Sequence, residues 1–324
     1  MEDYFSKDMK GRFTKTSQKR MVPLLILTLL LVVVLVSCKS LPDVGPFVDA
    51  TYQLKSAVSE SGQTVASELR YINDIGAKWS DQLEKDWKAR NRAFTAMAAY
   101  ADSLQAIIAS GQGGNQAAGE LADSVKGLAE AAGITLPGSP AAIAVATDSI
   151  KLIVENINKA RAAKSLEDAM VKANPAVEQT IRLISADLQD LDELFLIANK
   201  MVEKKFRADY NERFGYRKGL EDFIQKTQVD AISAEDLNKL IKVNELLKGT
   251  YGWYGEYQKG LEDIRQRLRL GRALIKTADA SLSQWVNAHI RVATALQNRQ
   301  PVNVRSLVEA TIQIHELIRK VREL

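Results

Sequence analysis

The chain has 324 residues, 46% of them hydrophobic, 26% charged and 6% aromatic, with 18 Gly, 7 Pro and a single Cys. That apolar content can build a core and excludes wholesale disorder, while one Cys excludes a disulfide scaffold. Two histidines (His289 and His315) and one Cys are too few ligands for a structural zinc site.

Residues 1–20 hold six basic side chains (Lys7, Lys10, Arg12, Lys15, Lys19, Arg20) and three acidic ones (Glu2, Asp3, Asp8). An uncharged apolar run, Met21–Val36, follows and leads into Ser37 and Cys38. A basic segment, an apolar core and a small residue make a secretory signal, with the basic end kept in the cytoplasm. The last four residues, Leu35-Val36-Ser37-Cys38, resemble the lipobox of bacterial lipoproteins. The resemblance implies that residues 1–37 are a cleaved signal peptide and that Cys38 carries the lipid. It also implies an outer-membrane location facing the periplasm, because Lys39 stands where inner-membrane retention favours Asp; in a one-membrane bacterium the site is the cell surface. Met9 offers a second start with a shorter leader. The alternative is an uncleaved anchor, for which the 16-residue run falls short of the roughly 20 residues that span a bilayer. Two or three acyl chains suffice for stable anchoring.

Without the leader, 38 basic and 37 acidic residues remain, so most of the formal net charge of +4 belongs to the leader. The near-neutral remainder gives no electrostatic case for nucleic acid as a partner.

Residues 38–46 read as a lipidated tether, with Pro42, Gly45 and Pro46 and no apolar period. From Phe47 to Ser110 no Pro intervenes, and apolar residues recur at spacings of three and four, from Leu54 and Val58 through Trp79 and Trp87 to Leu104 and Ile107. Gly62 and Gly76 read as weak points without stopping the helix, which as one piece reaches about 90 Å. Residues 107–147 differ in composition: 18 of 41 are Ala or Gly and four are charged. They hold a short helix, Gln116–Ala132, and a breaker, Gly133–Pro140. Helical pattern resumes from Ala141 to about Lys172, and Asn174-Pro175 reads as an N-cap with Pro at the first position of the next helix, to about Gln228. Ser233 and Asp236 form a capping signature ahead of Leu237 and Leu240. Further helices follow at about Tyr257–Leu296 and Val304–Leu324, with a turn at Arg299–Asn303. The mature domain, residues 47–324, is therefore expected to be all-α, an elongated antiparallel bundle of long helices.

Catalytic motifs are weak. Gly114 and Gly119 have the glycine spacing of a phosphate-binding loop, yet Glu120 and Leu121 occupy the Lys and Ser/Thr positions. Neither His belongs to a ligand pair, and both read as surface or boundary residues. The segment 251–257 puts Tyr251, Trp253, Tyr254 and Tyr257 within seven residues, with Gly252 and Gly255 between. It reads as a stacking platform for a ligand, or as an aromatic layer packed on Phe206, Tyr210 and Phe214 of a hairpin that sets residue 251 opposite about residue 209. Arg265, Arg269, Arg272 and Lys276 form a basic stripe, either for anionic lipid or cell-wall polymer or as a solvated face with local acids.

These observations point to a non-enzymatic, lipid-anchored scaffold, spacer or adaptor of the bacterial envelope, with no cofactor and no metal. Its expected partners are the membrane through Cys38 and an envelope protein bound by a bundle face or by a tip at 107–147; a homo-oligomer is compatible. Two alternatives stand beside it. One is a membrane-active, pore-forming-like helical protein whose 107–147 tip inserts into a bilayer. The other is an envelope glycan-binding protein using 251–257.

Overall fold

The segment before the first helix already packs. Pro42 and Val44 are buried, and Asp43 Oδ1 accepts a hydrogen bond from the Gly45 amide at 2.8 Å, which turns the chain into a helix with Pro46 in its first turn. The structure is a computed structural model that describes residues 42–111, 114–133, 147–227 and 233–323. The expected signal peptide, the lipobox-like stretch with Cys38 and the first part of the expected tether lie outside the described residues, as do residues 134–140 of the expected breaker. The tether proper ends sooner than its composition suggests, because Gly45 begins helix α1.

Among the described residues there are eight helices and no strand: α1 Gly45–Arg70, α2 Asp74–Ala109, α3 Asn115–Ala131, α4 Thr147–Arg161, α5 Leu166–Thr227, α6 Ala234–Lys248, α7 Trp253–Asn298 and α8 Arg305–Arg322. The all-α class and the antiparallel bundle of long helices are as the periodicity predicts. Residues 42–324 form one unit, in which α5 packs on α1, α3, α4, α6 and α7, and α8 closes on α1 and α7.

The long helix expected over 47–110 is instead a hairpin. Asn73 is extended, and its Oδ1 caps the Ile75 and Gly76 amides, both at 3.0 Å. Helix α2 leaves so close to the end of α1 that a Cβ on Gly76 would lie 2.2 Å from the Leu69 carbonyl oxygen. A glycine here is required by that approach, so it marks a turn. The apolar stripe is lost at the same place: Ile75 and Trp79 are about half exposed. Helix α2 then returns along α1, with Trp87 Nε1 donating to the Val58 carbonyl at 3.0 Å and Tyr52 to Asp102 at 2.6 Å. Gln105 therefore lies beside Gly45, so the Ala/Gly-rich segment starts near the end of the unit where α1 begins and not ~90 Å from it.

Helix α3 of that segment is core. Ala117, Ala118, Leu121, Ala122, Val125, Leu128 and Ala129 are buried against α2, α4 and α5. The low charge of 115–131 reflects close packing through small side chains.

The expected start of a helix at Pro175 is also corrected. Helix α5 begins at Leu166, where Ser165 Oγ accepts from the Asp168 amide at 3.2 Å, and it runs through Pro175. A proline inside a helix costs about 3 kcal/mol. Burial of Ala169, Met170, Ala173, Ala176 and Val177 around it offsets that cost.

The seam between α5 and α7 is set by contact between a ring and a glycine. A Cβ on Gly271 would lie 2.4 Å from a ring carbon of Phe195, which is fully buried. Gly271→Ala should therefore lower stability by about 1–3 kcal/mol through overpacking. Gly219, in the exposed stretch of α5 with open space around it, gives the opposite sign on change to Ala, about 0.5–1 kcal/mol of stabilisation. Thermal melts followed by circular dichroism read both, and equal effects at the two sites would contradict the packing account.

Candidate functional site

Beyond Val202 in α5 and before Leu261 in α7, only Leu240 and Thr250 are buried among the described residues. This stretch of α5, with α6 and the start of α7, forms an arm. The arm leaves the bundle beside the α1–α2 turn, where Lys205 Nζ donates to the Tyr71 carbonyl at 3.4 Å. At 1.5 Å per residue, the 203–227 part of α5 carries the arm about 38 Å past that turn. Within the unit, the arm and Gly45 stand at opposite ends of α1.

Half-buried residues of α5 recur at three and four spacing along the arm: Phe206, Tyr210, Arg217, Leu220 and Ile224. Opposite them, Tyr257 stacks on Phe206 at 5.7 Å and on Tyr210 at 3.9 Å between centroids, and Tyr254 lies 6.5 Å from Tyr210. Tyr216 lies 6.3 Å from Trp253, and the guanidinium groups of Arg213 and Arg217 stand over the rings of Trp253 and Tyr251. The expected aromatic layer thus forms from Phe206, Tyr210, Tyr254 and Tyr257. Its register differs: Tyr251 meets Arg217 and not residue 209. Tyr251, Tyr254, Phe214 and Tyr216 all remain more than half exposed.

A groove of ≈ 410 Å³ runs along the root of the arm. Its floor is Phe206, Tyr210, Trp253, Tyr257 and Gly260, and its rim is Asp209, Arg213, Glu256, Lys259 and Asp263. The rim residues were not singled out from sequence. The heptad-like spacing of α5, which brings Arg213 and Arg217 towards the aromatic seam, was the available signal.

The basic stripe is resolved into pairs. Arg272 donates to both oxygens of Asp192 at 2.8 and 2.7 Å and holds that carboxyl below its ordinary range. Arg269 pairs with Glu262 at 2.6 Å, and Arg265 lies 3.8 Å from Glu203. Lys276 lines a shallow groove beside Thr277 and Glu309 and adds a weaker pull on Asp192. Three of the four cations therefore serve acids on α5 or α7.

His289 is fully buried, which corrects the boundary position expected for it; His315 is exposed. The His289 ring stacks on Trp285, 5.9 Å between centroids, and its Nε2 is hydrogen-bonded to the Tyr100 hydroxyl. Trp285 in turn donates to Thr51 Oγ1 at 2.8 Å and packs on Phe47 at 5.2 Å. The Nδ1 atom of His289 has no hydrogen-bond partner among the described residues. Burial pushes His289 down to about 4 and pushes Tyr100 up. These groups tie α1, α2 and α7 together in the dry core. A second buried polar node joins α1, α5 and α7: Glu68 accepts from Asn199 Nδ2 at 2.8 Å and from Arg267 Nε at 3.0 Å. Neither node was legible in the sequence.

Comparison with family models, with curated proteins and with solved structures finds no match to this chain.

The buried histidine gives the fold a defined response to acid. Because its folded pKa lies below the ordinary value near 6.5, the unfolded chain takes up a proton first as pH falls. Stability should be full above pH 6.5 and should fall between there and about 4, by on the order of 3 kcal/mol. Urea melts at pH 7 and pH 4.5 measure the loss. The double change Tyr100→Phe with His289→Leu should flatten it, and a slope unchanged by that pair would assign the acid sensitivity elsewhere.

Proposed function

We propose that this protein is a lipid-anchored, non-enzymatic helical scaffold or adaptor of the bacterial cell envelope, attached to its membrane through Cys38. The anchor reading rests on the resemblance of Leu35-Val36-Ser37-Cys38 to a lipobox behind a basic and then apolar leader. The adaptor reading is carried by one observation: an arm with aromatic and aliphatic side chains exposed on each of its three helices stands at the end of the unit away from Gly45. A surface of that kind suits contact with another molecule better than it suits solvent. Helix α1 and the arm together give a reach of roughly 75 Å from Gly45. In this reading the arm takes the role that composition gave to the segment 107–147.

The membrane-active alternative has less behind it, since α3 is packed into the core and none of the described helices is long and apolar enough to cross a membrane.

Metabolic labelling with a fatty-acid analogue, followed by membrane fractionation, tests the anchor. Wild type should be labelled and sediment with membranes, while Cys38→Ala should lose the label. An unlabelled wild-type chain that still begins at Met1 or Met9 and stays in the soluble fraction would overturn the reading.

A further inference from the structure

We propose that the groove at the root of the arm binds an uncharged saccharide chain. The floor supplies the first half of the argument. Phe206, Tyr210, Trp253 and Tyr257 are only half-buried, so the groove presents ring surface that water wets poorly.

The rim supplies the second half. Elsewhere on α5 and α7 several cations are matched by local acids: Arg207 with Glu203, Arg217 with Glu221, Arg269 with Glu262 and Arg272 with Asp192. At the groove no such pair forms among the described residues. Asp209, Arg213, Glu256, Lys259 and Asp263 make no ion pair and no side-chain hydrogen bond among the described residues. Three carboxylates and two cations thus face the opening with their polar atoms unspent.

Ligand classes can be sorted on this mixture. A purely apolar ligand would desolvate the rim groups without replacing their bonds to water, at a cost of about 1–3 kcal/mol each. A polyanion meets three carboxylates, and a polycation meets Arg213 and Lys259. A sugar hydroxyl both donates and accepts, so it can serve a carboxylate and an ammonium alike. The apolar C–H face of a sugar ring is flat enough to lie on an aromatic floor. The groove's ≈ 410 Å³ falls within the range of small-molecule sites, roughly 300–1,000 Å³, and it is open along its length. It therefore fits a short stretch of a longer chain. The assignment rests on the adaptor reading in that it names what the arm holds, but it does not require Cys38 to be lipidated.

The test uses the full-length chain in a detergent without a sugar headgroup, so a failure of anchoring and a failure of the groove are read separately. A β-1,4-linked N-acetylglucosamine tetramer and maltotetraose are titrated by calorimetry. At least one should bind saturably, with a Kd of about 10 μM to 1 mM. Trp253→Ala should weaken it at least tenfold, as should the isosteric Asp209→Asn and Glu256→Gln, which keep the proposal testable if the tryptophan variant misfolds. Tyr251→Ala, outside the groove lining, should bind as wild type. No heat with either sugar up to about 10 mM overturns the assignment, as does binding that survives all three groove variants. Tighter binding of heparin or of a polylysine peptide at the same groove overturns it in favour of a charged ligand.

Discussion

A carboxylate that is 2% exposed must be satisfied by its own protein, and Glu68 is satisfied by two other helices at once. Asn199 of α5 donates to one of its oxygens and Arg267 of α7 to the other, while the same Asn199 amide also reaches the Ile264 carbonyl at 3.1 Å. The node lies where α1 ends and the arm departs. It fixes the relative height of α1, α5 and α7 at that level, and so decides which residues of α5 and α7 remain inside the bundle and which continue into the arm. Arg267 stands 5.0 Å over the ring of Tyr71, which carries the node to the α1–α2 turn.

The bundle and the arm are built from the same two helices under different conditions. Within the bundle, α5 and α7 close on each other through Phe195 and Gly271, with neighbouring helices covering both. Among the described residues no third layer covers the arm, so aromatic rings and long cationic side chains form a seam that stays partly wet. That difference explains why Arg213 and Arg217 stand over rings while Arg272 lies in a bidentate pair. A guanidinium tolerates a half-wet stacked position at little cost in desolvation. The contact surface proposed for the adaptor follows from the same incompleteness of packing.

Much of the fold was legible. Spacing of three and four places Leu54, Val58, Val65, Phe94, Met97 and Leu104 in the core, and the Ser233–Asp236 capping box begins α6 as its residues indicate. The two boundaries that were misread share a cause. Helix propensity makes Gly76 a weak point and local preference makes Pro175 a first-turn residue, whereas both are governed by what lies beside them. The carbonyl of Leu69 excludes a side chain at Gly76, and buried neighbours hold the helix together across Pro175. The candidate site was half legible. The aromatic cluster of 251–257 was visible as composition, but its partners were not. A shift in the turn by a few residues changes which rings meet, and the rim of Asp209, Glu256 and Asp263 exists only once that register is set.

The sequence by itself determined the helical class, most of the buried stripe and the capping box at Ser233, and it carries the lipobox-like stretch on which the proposed anchor rests. Each of these depends on residues within a turn or two of one another, or on a linear motif. Tertiary structure decided that α1 and α2 form a hairpin, that His289 is buried and Glu68 is shared, and that the exposed arm lies at 203–227 and 233–260 with 115–131 in the core. Those outcomes depend on which surfaces meet across tens to hundreds of residues. A helical period states that a face is apolar, but not which other face will cover it.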